Sequence, residues 1–80
     1  MTINDAVASR ILNLLKEREM SQYRLEQESG IAHGAMDRIL NSQNSTVTLT
    51  TIYRLSRGFQ LSIFEFLDDD VFRRTDLEVD

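Results

Sequence analysis

The chain has 80 residues, 41% of them apolar, with no cysteine and a formal net charge of −4, which bounds it to one domain around a modest core. The missing cysteines exclude disulfides, thiolate nucleophiles and cysteine zinc sites. With a single histidine and no cofactor motif, little remains to build a catalytic centre around, so no enzyme, cofactor or metal is expected. The first residues lack the basic and apolar regions of a signal peptide, and no stretch approaches the ~20 apolar residues of a membrane span, so the expected location is the cytoplasm.

There are no prolines and three glycines, a composition that favours helices. Asn4 is a candidate cap for a first helix, with Asp5 in its first turn. Val7, Ile11, Leu14 and Leu15 fall on one helical face, with Arg10, Lys16, Glu17 and Arg18 mostly away from it. This helix is expected to end near Glu19. Ser21 then caps a short helix reaching about Ser29, and Gly30 sits where a stop needs positive φ. After Ile31, expected to be buried in the turn, a third helix spans residues 32–40. It places Met36, Ile39 and Leu40 on an apolar face, and His33, Asp37 and Asn41 on another.

Residues 41–48 are polar and predict a loop. For residues 46–53 the pattern is divided. Val47 and Leu49 alternate with threonines as in a strand, whereas Leu49, Ile52, Leu55 and Phe59 fit a helical stripe with Gly58 as its stop. The next start is sharper: Ser62 with Glu65 forms a capping box, and Leu61 with Phe66 the hydrophobic staple around it. A helix from Ile63 through Leu67 follows, opposed at its end by the acids at 68–70. Those three carboxylates point in different directions and suit a solvated cap better than a metal site. Val71 and Phe72 are placed to dock back on the core, and residues 73–80 form an acidic, flexible tail beyond a domain of residues 1–72. Residues 65–80 hold seven acids against two bases, leaving seven bases and six acids in residues 1–64, a balance of +1. The body is therefore near neutral and compatible with a polyanion.

Residues 21–40 are the informative stretch: two short helices separated by a glycine turn, with Leu25, Ile31, Met36 and Ile39 spaced for burial, as a helix-turn-helix requires. The stretch resembles the Cro/cI-type, or xenobiotic-response-element, helix-turn-helix family. Ser21-Gln22 matches its usual opening, Leu25, Gly30-Ile31 and Met36 its core and turn, and Arg38-Ile39 the end of its third helix. Thr48-Leu49, Thr51-Ile52-Tyr53, Leu55, Gly58-Phe59, Leu61-Ser62 and Glu65-Phe66 are similar to its helices 4 and 5. The resemblance covers roughly residues 7–67. It implies an all-α, compact five-helix lambda-repressor-like bundle, and it assigns 49–58 to a helix where the pattern alone does not decide. Two positions depart from the family: Glu26 where alanine is common, and Ser42 where glycine is common, the latter suggesting a different loop route.

The resemblance also implies roles. Gln22 contacts a phosphate at the start of helix 2. His33 and Gly34 face base edges, with Asp37 and Arg38 further along. Arg38 is the best direct reader, since a guanidinium bonds guanine O6 and N7 together; His33 donates or accepts, and Asp37 accepts from a cytosine amino group. Gly34 and Ala35 leave room for thymine methyls or close backbone approach. Asn41, Ser42, Gln43 and Asn44 supply neutral phosphate contacts, which predicts a shallow salt dependence. Against these stand an ordinary surface role for His33, an Arg38–Asp37 pair, and either a phosphate contact or partial burial for Tyr23. Phe59, Phe64, Phe66 and Phe72 are core candidates, any exposed one marking a dimer contact.

The implied function is a sequence-specific, DNA-binding transcriptional repressor that meets double-stranded DNA as a homodimer, with the segment 64–79 as the dimer element. No membrane or small-molecule partner is evident. The acidic tail and scarce lysines support an alternative, a helix-turn-helix-fold module that binds a protein in the manner of an antitoxin or anti-repressor.

Overall fold

A computed structural model describes residues 1–43 and 47–79. Among them run five α-helices, α1 (Ile3–Glu17), α2 (Gln22–Ser29), α3 (His33–Leu40), α4 (Leu49–Gly58) and α5 (Ile63–Leu67), followed by a 3-10 turn at Asp70–Phe72. None is long and apolar enough to cross a membrane.

Local chemistry sets the helix starts. The cap of α1 is Thr2, not Asn4: the Thr2 hydroxyl accepts from the Asp5 amide while the Asp5 carboxylate accepts from the Thr2 amide, each at 3.0 Å. Asn4 lies inside the first turn and is buried. Both residue types cap well; Asp5 three residues on from Thr2 completes a reciprocal box that Asn4 lacks. Ser21 caps α2, and Gly30 ends it in the left-handed region at φ 74°. Ser62 and Glu65 form the expected box on α5.

The core joins Val7, Ile11, Leu14 and Leu15 of α1 to Leu25, Ile31, Met36, Ile39, Ile52, Leu55, Phe59 and Phe66. Each large side chain so enclosed contributes about 1.5–3 kcal/mol of transfer free energy. The principal pairings are α2 on α4 and α1 on α3, so the two short helices of the turn motif each rest on a different support. The stripe of α4 begins at Ile52. Leu49, its first residue, is exposed, and Val47 ahead of it is half-buried against the core.

Gly58 serves closeness rather than a stop. The helix includes it, and the left-handed residue falls at Gln60. A β-carbon at Gly58 would lie 2.8 Å from Leu25 Cδ1 and 3.1 Å from Ser29 Cβ, so its absence lets α4 seat directly on α2.

The C-terminal segment returns to the domain. Phe72 packs on the core, its ring 6.3 Å from Phe66. Where residues 73–80 were expected to form a free tail, Glu78 makes a parallel bridge with Thr2, and the Ile3 amide donates to its carbonyl at 2.9 Å. Arg10, near the face edge of α1, reaches the same region. It donates to the Phe66 and Glu65 carbonyls at 2.8 and 3.0 Å and pairs with Asp69 at 3.3 Å.

Candidate nucleic-acid interface

Helix α3 is built to show one side. Met36 and Ile39 are buried beneath it, whereas His33, Gly34, Asp37 and Arg38 are exposed along it. Its cap, Ala32, has no side-chain acceptor for the first-turn amides, unlike the capped starts of α1, α2, α4 and α5. Those amides remain available to an external anion.

The predicted contact residues do not stand alone. The Glu26 side chain, only 10% exposed, lies between α2 and α3. One of its oxygens, Oε2, meets His33 Nδ1 at 2.8 Å and accepts from Gln22 Nε2 at 2.9 Å. Gln22 Nε2 also lies 3.4 Å from Asp37 Oδ1. Gln22, Glu26, His33 and Asp37 thus form one polar bridge across the turn motif. The His33 bond, followed by the Gln22 bond, holds the Glu26 carboxyl below its ordinary value. The Glu26 bond and charge, with Asp37 beyond, push the imidazole above its ordinary 6.5. A glutamate where a small residue is common is therefore accommodated by pairing, and it ties the two helices together.

Arg38 is exposed and makes no ion pair with Asp37 or any other acid among the described residues. A β-carbon on Gly34 would lie 3.7 Å from Arg38 Nη1, so the guanidinium extends back over the glycine toward the start of α3. Ala35 is half-buried and faces a groove shared with Ala32, Thr50, Thr51 and Arg54. Tyr23 is exposed, not partly buried, and its hydroxyl accepts from Gln27 at 2.8 Å.

At the end of α3, Asn41 Nδ2 donates to the Asp37 carbonyl at 2.8 Å, capping the helix with its side chain. Ser42 adopts φ 55°, the left-handed conformation that favours glycine, at a steric cost for a residue with a β-carbon. The Asp5 carboxyl is held below its ordinary value, first by the Thr2 amide and then by the nearby Ser42 hydroxyl. The Gln43 amide donates to the Arg38 carbonyl at 2.8 Å and its side chain is exposed. Asn44 lies outside the described residues.

Most cations of the chain are engaged. Arg10, Arg24, Arg73 and Arg74 pair with acids, Arg18 donates to the Phe59 carbonyl, and Arg57 stacks 5.8 Å over Tyr53. Among the described residues Lys16, Arg38 and Arg54 have no such partner. Lys16 complements the last turn of α1. Arg54 borders α3 across the groove and was not anticipated, because its position beside α3 arises only when α4 packs. Glu26 carried a visible signal, a charge at a position of close helix approach.

Comparison with known proteins adds one match: a family model, the Cro/C1-type HTH DNA-binding domain, fits residues 10–71. Curated proteins and solved structures give no match.

Proposed function

The chain belongs to the Cro/C1-type helix-turn-helix DNA-binding domain family, and on that premise we propose that it is a sequence-specific transcriptional regulator, a cytoplasmic repressor that lays α3 in the major groove. The observation carrying this is the exposed row His33, Gly34, Asp37 and Arg38 on a helix whose opposite side is anchored by Met36 and Ile39. Arg38, free of acids, reads a guanine edge; His33 and Asp37 face neighbouring bases. Gln22, Asn41, Ser42, Gln43 and Asn44 approach phosphates, together with the uncapped start of α3 and Arg54. Gly34 keeps the helix surface low beneath Arg38, and Ala35 borders it toward α4. Occupying a promoter site suffices to repress.

The regulator pairs on DNA as a homodimer through α5. Phe64, 78% exposed, supports this: a phenylalanine of α5 left in water is better explained by a partner copy than by the core. Two α3 helices then lie about one turn of DNA apart.

A second reading, a protein-binding module of the same fold, draws on the seven acids of residues 65–80. Anisotropy titration against random duplex at two salt concentrations separates the two. The DNA reading predicts measurable binding with a shallow salt slope; no binding even at low salt supports the protein-binding module.

A further inference from the structure

We infer that Glu26 turns His33 into a proton-dependent base reader, by holding Nδ1 so that only Nε2 is presented to the groove. The inference rests on the reading that α3 enters the major groove. Its basis is the 2.8 Å contact between His33 Nδ1 and Glu26 Oε2. A carboxylate has no proton to donate, so Nδ1 carries the hydrogen and the neutral ring is confined to one tautomer. Nε2 is then a bare acceptor in the neutral ring and a donor in the imidazolium.

The holding group is itself fixed. Glu26 is largely enclosed, and Gln22 donates to the same oxygen at 2.9 Å. Its helix is seated by Leu25 and Ser29 against Gly58. The ring, by contrast, is 73% exposed, leaving its far nitrogen open to solvent or a ligand. The charged groups acting on it are Glu26 from α2 and Asp37 from α3; neither α1, packed on α3, nor Arg54 of α4 across the groove acts on it. Both neighbours are acids, which push the ring above its ordinary 6.5.

The consequence is specific to this tautomer. In the major groove adenine presents an amino group where guanine presents O6. Neutral His33 therefore favours adenine, or cytosine through its amino group, whereas the protonated ring favours guanine. An unheld histidine with its hydrogen on Nε2 would donate in both states and show no inversion. Glu26 is a positioning residue here and touches no base.

The test is selection of binding sites from random duplexes at about pH 5.5 and about pH 8.5, alongside 15N NMR of the His33 imidazole in the free protein. The expected results are an Nδ1–H neutral tautomer and one motif position at which guanine gains on adenine by about tenfold at the lower pH. In Glu26→Ala, which removes the acceptor from Nδ1, the inversion disappears, and His33→Gln, a surface change that leaves the core untouched, abolishes it likewise. An Nε2–H tautomer, a motif indifferent to pH, or an inversion that survives either substitution overturns the inference. A protein with the Nδ1–H tautomer that selects no motif at either pH overturns both the base reader and the groove reading on which it rests.

Discussion

Arg10 is a sharp test of how the C-terminal segment is held, because one side chain links α1 to the Phe66 and Glu65 carbonyls and to Asp69. Its side chain is 11% exposed. Nε and Nη2 serve the Phe66 and Glu65 carbonyls, Nη1 pairs with Asp69, and the guanidinium lies 5.9 Å from the Phe66 ring. Arg10→Ala strands the Phe66 carbonyl, leaves Asp69 without its cation and thins the cover of a fully buried phenylalanine. A bond from a charged donor is worth about 1.5–3 kcal/mol, and leaving a partner dry costs about 1–3 kcal/mol. The links share one side chain, and water replaces the bond to the exposed Glu65 carbonyl, so the terms do not add. We expect a loss of about 2–3 kcal/mol, which for a domain of this size lowers Tm by roughly 10–20 °C. Urea and thermal unfolding followed by circular dichroism measure it, with an unchanged urea slope. Arg10→Lys keeps the charge but not the fork and should recover less than half. A loss under about 0.5 kcal/mol, or full recovery by lysine, would refute the reasoning.

Gly58→Ala sets two effects against each other. Alanine gains about 1 kcal/mol of helix propensity, but its β-carbon meets the enclosed Leu25 and the Ser29 backbone side of α2, and overpacking costs about 1–3 kcal/mol; urea unfolding should show a net loss of about 1 kcal/mol, and a gain would mean that α2 yields easily. Arg38→Ala should relax preference at one base position by about 1–3 kcal/mol with little change in stability; unchanged preference in a competition titration removes Arg38 from the readers. The Glu26–His33 contact predicts a stability profile as well. The raised histidine contributes fully below its ordinary 6.5 and loses that contribution as pH rises through its folded value. The lowered glutamate contributes above its ordinary 4.5 and loses it as pH falls through its folded value. The stability difference between the native chain and His33→Gln should therefore peak between 4.5 and 6.5 and shrink on either side; a difference that grows toward alkaline pH contradicts the assignment.

The scaffold was legible because its signals are local. Ser21, Gly30 and the Ser62–Glu65 box act within a single turn, and the apolar spacing of α1 and α3 states their buried faces directly. Other features are set by tertiary approach. Gly58 in sequence suggests a stop, and only α2 lying against it reveals the demand for no side chain. Leu49 fits the stripe of α4 by number, yet the first residue of the helix overhangs the core. The return of residues 73–79 to Thr2 and Ile3 runs through backbone groups, which leave no side-chain pattern. For the candidate interface, periodicity puts His33, Asp37 and Asn41 on one face of α3, whereas Gly34 and Arg38 enter through the family resemblance. The linking of Gln22, Glu26, His33 and Asp37 was not legible, since these residues meet only when the glycine turn folds α3 back across α2.

The central claim, that α3 is the surface presented to DNA, is tested most directly by a 15N–1H NMR titration of the protein with a duplex recovered by site selection. The account predicts amide shifts at residues 33–38 and at Gln22 and Tyr23, with residues 73–79 unmoved. Shifts confined to α5 and the C-terminal segment, or none at all, would contradict it.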